Sequence, residues 1–153
     1  MKFSTRKDVE VPIDQAFALI CDFGAYERSA MRRGAEVRRM DDMTKPGAGM
    51  KWAASFKMRG KKRDLEMEMT RFERSNEICV LSSTSGIDGT GQIELLALSR
   101  NRTRVSVVFE LKPTNLSAQL LVQSLKLAKN SLTKRYKLRV AEYAKSIEDR
   151  RQS

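Results

Sequence analysis

Between residues 35 and 112, apolar and polar side chains alternate along short segments that are separated by turn residues. The clearest segment has an apolar residue at every second position: Met50, Trp52, Ala54, Phe56 and Met58. A period of two residues is typical of a β-strand with one face in the core. Because tight turns join successive segments, neighbouring strands must be antiparallel. The sequence therefore predicts six consecutive antiparallel strands in this region.

The two ends of the chain complete the predicted architecture. Residues 2–11 alternate in the same way and stop at Pro12, which predicts another strand with one face in water. Two short helices are expected next, the first capped by Asp14 and the second over residues 26–32. Residues 116–148 contain no glycine or proline, and their apolar residues recur every three or four positions. This pattern predicts one amphipathic helix, about 50 Å long, and residues 1–153 are interpreted as a single domain.

The order strand, two short helices, six strands, long helix resembles the START-like superfamily, also called SRPBCC, which includes Bet v 1 and polyketide cyclase-like proteins. Residues 9–26, VEVPIDQAFALICDFGAY, are similar to the opening of that family, in which a strand ends at proline and a helix follows. The resemblance implies an α+β helix-grip fold: a curved antiparallel sheet of about seven strands around a long C-terminal helix, with two short helices after the first strand. It also implies a deep apolar cavity.

Members of this superfamily bind lipids, sterols, quinones, polyketides or plant hormones, so the resemblance implies a hydrophobic small molecule as ligand. Methionine-rich strand faces favour a cavity, because methionine adapts to irregular apolar shapes; a fully packed core is the alternative. The predicted ligand-binding residues lie on the inward faces of the strands and helices: Phe17, Ile20, Trp52, Ala54, Phe56, Met58, Leu65, Met67, Met69, Ile93, Leu95, Val107, Phe109, Leu125, Ala128, Leu132, Tyr136 and Arg139.

Two features of this predicted interior have alternative interpretations. Arg139 lies beside the apolar stripe of the long helix, where an unpaired charge would be costly. It either anchors a carboxylate or phosphate of the ligand, or its side chain reaches water or pairs with Glu66. Ser82 and Thr84 share one strand face and Leu81 lies on the other, and either face could point inward.

The composition favours a binding protein over an enzyme. The chain has no histidine, which removes histidine bases, histidine-activated nucleophiles and almost every zinc site. Cys21 and Cys79 lie too far apart for a metal motif, and Glu66 and Glu68 are expected to face solvent opposite Lys51. No metal or cofactor is therefore predicted. A polyketide cyclase-like or aromatase-like reaction in the same cavity is the alternative function.

The chain carries a formal net charge of +11, from 30 Lys plus Arg and 19 Asp plus Glu. A charge of this size attracts anionic partners such as a membrane surface, RNA or the ribosome, although solubility alone also explains it. The basic hairpin turn at residues 59–63 is the candidate contact. The sequence shows no secretory signal and no apolar run of roughly 20 residues, so the cytoplasm is the expected compartment.

A second line of leucines follows the predicted long helix, away from its main apolar stripe: Leu120, Leu127 and Leu138. If the sheet covers only the main stripe, these leucines are exposed and predict a homodimer or another partner surface. The alternative is that the two short N-terminal helices bury them.

Overall fold

The computed structural model describes residues 1–58 and 60–152. Seven strands and four helices occur in this part of the chain. Their order is β1 (Lys2–Val9), α1 (Ile13–Ile20), α2 (Phe23–Arg32), β2 (Glu36–Arg39), β3 (Lys51–Met58), β4 (Lys61–Glu73), β5 (Glu77–Thr84), β6 (Ile87–Ser99), β7 (Arg102–Pro113), α3 (Leu116–Lys126) and α4 (Lys129–Gln152).

The strands form one antiparallel sheet in the order β1-β7-β6-β5-β4-β3-β2. Strands β2 to β7 follow one another as hairpins, as the alternating pattern predicted, and β1 adds to the far side of β7. The sheet is curved, with a long C-terminal helix, so the predicted α+β helix-grip fold class is confirmed.

The core lies between one face of the sheet and the helices. Its buried apolar residues come from the strands, from α1 and from α4: Val9, Val11, Ala16, Phe17, Ile20, Met50, Trp52, Met69, Ile78, Leu95, Val105, Ala144 and Ile147. One buried polar side chain accompanies them, because the Thr103 hydroxyl donates a 2.7 Å hydrogen bond to the Val11 carbonyl. Thr103 therefore ties β7 to the segment after β1 without leaving a polar atom unsatisfied.

The prediction of one helix over residues 116–148 is wrong, because the helix is interrupted at residues 127 and 128. The backbone N–H groups of Leu127 and Ala128 donate to carbonyls three residues back, at 3.2 and 3.0 Å. Helix α3 packs on β7, whereas α4 packs on β1 and α1. The break allows α3 to pack on β7 while α4 packs on β1 and α1. The sequence has no glycine or proline at the break that would predict it.

The starts of the two short helices also differ from the prediction. Helix α1 begins after Pro12 without a side-chain cap, and Asp14 instead accepts a 2.6 Å hydrogen bond from the Ser75 hydroxyl. Helix α2 begins at Phe23 rather than at residue 26, because the Asp22 carboxylate accepts a hydrogen bond from the Ala25 N–H. This cap adds almost one turn to α2.

Asp41 holds the connection between β2 and β3. Its carboxylate accepts hydrogen bonds from the Arg39 guanidinium at 2.6 and 3.0 Å and from the backbone N–H groups of Lys51 and Met43 at 2.8 and 3.0 Å. The Arg39 guanidinium and these N–H groups hold the pKa of Asp41 well below its usual range.

We expect Asp41→Asn to be destabilising at neutral pH and less so in acid. Since the folded-state pKa of Asp41 lies below the unfolded-state value, the carboxylate stabilises the fold above the ordinary aspartate pKa and loses this effect as the pH falls toward the folded-state value. Urea unfolding midpoints of the wild type and the variant should thus converge between pH 7 and pH 2. Asp42→Asn is the matched control, and a gap that is independent of pH would contradict the assignment.

Candidate functional site

A cavity of about 390 Å³ lies between helix α2 and strands β2 to β6. Its walls are almost entirely apolar side chains: Ile20, Phe23, Tyr26, Glu27, Ala30, Ala35, Val37, Trp52, Ala54, Phe56, Leu65, Met67, Ile78, Val80 and Ile93. A volume of this size falls within the range of small-molecule sites. We call this space the apolar cavity.

The local sequence explains why this space is open. Alternation along β3 and β4 places every second residue on the cavity side, and the register sets Trp52 beside Met67 and Ala54 beside Leu65. The small side chains of Ala30, Ala35 and Ala54 leave room between the sheet and α2. Bulky side chains and these three alanines thus line the apolar cavity together.

Trp52 is held by polar groups at the edge of the apolar cavity. Its indole Nε1 donates a 2.9 Å hydrogen bond to the Glu27 carboxylate on α2. The Arg39 guanidinium lies 5.5 Å from the centroid of the Trp52 ring, within the range of a cation–π contact. These contacts orient the largest side chain of the wall and join β3 to α2.

Two tyrosines connect α2 to α4 beside the apolar cavity. The Tyr26 hydroxyl donates a 2.5 Å hydrogen bond to the Ile20 carbonyl, so the Tyr143 hydroxyl is the donor in the contact between the two phenols. Burial raises the pKa of both tyrosines above the ordinary value. Both hydroxyl hydrogen atoms are thus used in these two hydrogen bonds, and the pair links α2 to α4.

Seven of the residues predicted to bind a ligand line the apolar cavity: Ile20, Trp52, Ala54, Phe56, Leu65, Met67 and Ile93. Met69 and Leu95 are instead buried in the packed core. Phe17 packs edge-on against Phe72, with ring centroids 5.4 Å apart, and borders a separate surface cleft. Met58 is exposed at the end of β3, where it borders a second cavity.

The predicted residues of β7 and the C-terminal helices are placed away from the apolar cavity. Val107, Phe109, Leu125, Leu132 and Tyr136 are partly buried but do not line it. The Tyr136 hydroxyl donates a 2.7 Å hydrogen bond to the Val107 carbonyl, and the Tyr136 ring lies 5.5 Å from Phe3. This tyrosine therefore fixes α4 to the sheet.

The inward placement of Ala128 and Arg139 is wrong, because both residues are exposed. Ala128 falls in the break between α3 and α4. Val140 is a buried residue of α4, and Arg139, one residue earlier, points about 100° away from it on a helix. Arg139 reaches water, which was the alternative to a ligand anchor.

The structure decides which face of β5 points inward. Ile78 and Val80 line the apolar cavity, so Ser82 and Thr84 lie on the same face, whereas Leu81 is exposed on the opposite one. The Ser82 hydroxyl donates to the Gly89 carbonyl at 3.1 Å, and the Thr84 hydroxyl donates to the Asp64 carbonyl at 2.7 Å. Both hydroxyls therefore already bond to the backbone.

The predicted outward orientation of the two β4 glutamates is also observed. Glu68 lies opposite Lys51 in the register, with a carboxylate-to-ammonium distance of 3.6 Å, and Glu66 is exposed on the same face. These carboxylates lie on the face of the sheet away from the apolar cavity.

The α2 side of the apolar cavity was not predicted from the sequence. Phe23, Glu27 and Ala30 recur at spacings of four and three, which places them on one helical face. That spacing is a usable signal, but the predicted second helix begins at residue 26 and excludes Phe23. The sequence therefore does not assign α2 to the wall of the cavity.

A second cavity of about 400 Å³ lies at the β3–β4 hairpin end of the sheet, beside α3. Its lining is mixed: Phe56, Met58, Arg63, Thr84, Ser85, Ile87, Asn115, Ser117, Ala118 and Leu121. We call it the mixed cavity, and Phe56 borders both cavities. Arg63, expected on the basic surface turn, points into this cavity; Arg59 lies outside the described residues.

Neither thiol is an activated nucleophile. Burial raises the pKa of Cys21 and Cys79 to about 11, and the Glu77 carboxylate adds to the shift at Cys79. Both thiols are thus protonated at neutral pH.

In residues 1–58 and 60–152, no group of three or more Cys, Asp or Glu side chains could hold a metal ion. No helix in this part of the chain is long and apolar enough to cross a membrane.

The second line of leucines is exposed. Leu120 and Leu138 are 62% and 60% exposed, and Leu127, in the helix break, is 91% exposed. The alternative that the two N-terminal helices bury these leucines is therefore wrong.

Comparison with solved structures shows that this fold is similar to that of a START superfamily protein and of an aromatase/cyclase. A protein from Thermus thermophilus superposes with a TM-score of 0.65 at 16% identity, covering 98% of this chain and 96% of that chain. The Zhui aromatase/cyclase from a Streptomyces species superposes with a TM-score of 0.58 at 11% identity, covering 76% of this chain and 70% of that chain. A START superfamily protein from Mycobacterium smegmatis superposes with a TM-score of 0.54 at 12% identity, covering 88% of this chain and 95% of that chain. No protein-family model matches this chain, and no curated protein matches it in sequence.

Proposed function

We propose that this protein binds a hydrophobic small molecule, such as a lipid, quinone or polyketide, in the apolar cavity, as a carrier or sensor. The observation that carries this proposal is a space of about 390 Å³ whose walls are almost wholly apolar. Moving an apolar ligand from water into such a space is favourable by roughly 25 cal/mol per Å² of apolar surface buried. The tyrosine pair and the Trp52–Glu27 hydrogen bond hold α2 in position over the space.

A cyclase-like or aromatase-like reaction in the same cavity has weaker support. One structural neighbour is an aromatase/cyclase, but at 11% identity it shares the fold alone. A reaction would need a free acid or base on the cavity wall. Glu27 is the ionisable carboxylate there, and it already accepts a hydrogen bond from Trp52. The Tyr26 hydroxyl is likewise committed to the Ile20 carbonyl.

We expect Ala54→Phe to weaken ligand binding at least tenfold. The added ring would occupy the space that the methyl group of Ala54 leaves open, and a ligand would have to displace it. The probe is N-phenyl-1-naphthylamine, an uncharged dye whose fluorescence rises in apolar surroundings. Its dissociation constant is measured by titration for the wild type and the variant.

Ala53→Phe is the matched control for this experiment. Ala53 precedes Ala54 on β3 and points to the opposite face of the sheet, where it borders an outer groove with Leu81 and Glu66. The same added ring should leave dye binding within a factor of two of the wild type. Equal loss of binding in both variants, or no dye binding by the wild type, would contradict the proposal.

Two further partners stay predictions. The exposed line of Leu120, Leu127 and Leu138 supports a homodimer, because exposed apolar residues favour association. The net charge of +11 supports binding to an anionic membrane surface, the ribosome or other RNA.

A further inference from the structure

Arg63 brings a positive charge to the inner face of the sheet. It lies on β4 opposite Phe56 in the register, two residues before Leu65, which lines the apolar cavity. Because side chains alternate along a strand, Arg63 and Leu65 point to the same side. The Arg63 side chain borders the mixed cavity together with Ala118 and Leu121 of α3. Arg63, one cation of the basic hairpin, therefore points to the inner face of the sheet.

The Arg63 guanidinium has no counter-ion in the part of the chain that the structure describes. Its Nε atom is buried and has no hydrogen-bond partner, and no carboxylate of residues 1–58 and 60–152 lies within 4.0 Å of it. Buried polar atoms are almost always hydrogen-bonded, and an uncompensated charge near apolar walls is costly. An unpaired arginine in this place therefore indicates a partner that residues 1–58 and 60–152 do not supply.

The surroundings of Arg63 suit an anion. Arg63 is the charged side chain among the residues that line the mixed cavity, and no carboxylate of the described residues lines it. The neighbouring Ser85 and Ser117 carry hydroxyls that can donate to an anion. A guanidinium presents a fork of N–H groups that matches the oxygens of a carboxylate or phosphate.

The two cavities are neighbours, since Phe56 borders both. We propose that the ligand is an amphipathic anion, whose apolar body fills the apolar cavity and whose carboxylate or phosphate binds Arg63 in the mixed cavity. This inference rests on the proposed function, because it assigns a chemical class to the ligand of the same interior. Arg63, rather than the exposed Arg139, is the anchor.

Two dyes that differ by one charge provide the test. 8-Anilino-1-naphthalenesulfonate has the body of N-phenyl-1-naphthylamine plus one sulfonate, which stands for the anionic group of the ligand. We expect Arg63→Gln to weaken binding of the sulfonate dye about tenfold or more, because a charge-assisted hydrogen bond is lost, at roughly 1.5–3 kcal/mol. Binding of the uncharged dye should stay within a factor of two.

Lys62→Gln is the matched control, since it removes the same charge from an exposed position of the same hairpin. It should leave binding of both dyes within a factor of two, and Arg63→Lys should lose less affinity for the sulfonate dye than Arg63→Gln. Circular dichroism checks that each variant is folded. Equal effects of Arg63→Gln and Lys62→Gln on the sulfonate dye, or equal loss of both dyes in Arg63→Gln, would overturn the inference. The proposed function would still stand if the wild type binds the uncharged dye.

Competition identifies the anionic group. Dodecanoate and dodecyl phosphate are each expected to displace the sulfonate dye from the wild type more strongly than dodecanol, which has the same chain without a charge. The anion that displaces the dye more strongly identifies the anionic group of the ligand. If dodecanol competes as well as both anions, the role of Arg63 is refuted, whereas failure of the wild type to bind the uncharged dye refutes the proposed function itself.

Discussion

Replacement of Ile147 by alanine is expected to lower the free energy of unfolding by about 2–5 kcal/mol. Ile147 is 0% exposed and belongs to the core that α4 shares with α1 and the sheet. Truncation removes three buried carbons and leaves a void, because α4 is also held by Tyr136 and Tyr143 and cannot move in to fill it. The cost thus combines lost burial with an unfilled cavity.

Leu138→Ala is the control for Ile147→Ala on the same helix. Leu138 is 60% exposed, so its truncation should change the free energy of unfolding by about 0.5 kcal/mol or less. Urea denaturation, with equal slopes for the three proteins, measures both values. A similar loss in the two variants would show that α4 does not pack on the sheet as described.

Two glycines on β6 are expected to respond to alanine with opposite signs. A Cβ atom on Gly89 would lie 2.6 Å from the Ser82 hydroxyl oxygen and 3.6 Å from Phe109 and Leu111. Gly89→Ala should therefore cost about 1–3 kcal/mol, the usual range for overpacking. A Cβ atom on Gly91 meets no heavy atom within 4 Å, so it enters open space.

Gly91→Ala should raise the free energy of unfolding by about 0.5–1 kcal/mol, because alanine has less freedom in the unfolded chain than glycine. The two variants are each other's controls, since they lie on the same strand and the same face. Thermal or urea unfolding gives both values. Destabilisation by Gly91→Ala as large as that by Gly89→Ala would mean that the interior at Gly91 is filled.

The strands and the fold class were predictable because their signal is local. Alternation of apolar and polar residues reports directly which strand face is buried, and turn residues mark where each strand ends. For the same reason, the cavity residues of β3 and β4, such as Trp52, Ala54 and Met67, could be named in advance. Which apolar residues line a space and which, like Met69, fill the core depends on distances across the sheet.

The remaining features depend on tertiary contacts that a periodic pattern does not contain. The break after Lys126 follows from the different supports of α3 and α4. The inward position of Arg63 was hidden because it belongs to a run of cations typical of a surface turn. Arg139, by contrast, is predicted to point inward because it precedes the buried Val140 in the sequence. The edge of an apolar stripe on a helix is easily misjudged by one residue.

The seven-stranded sheet is open at both sides, so each molecule presents two rows of unpaired backbone groups. On one side, β2 is only four residues long and carries Glu36, Arg38 and Arg39. On the other, β1 carries Lys2, Arg6 and Lys7. A strand from another molecule would have to lie against these charges, so the two outermost strands disfavour pairing between molecules into fibres.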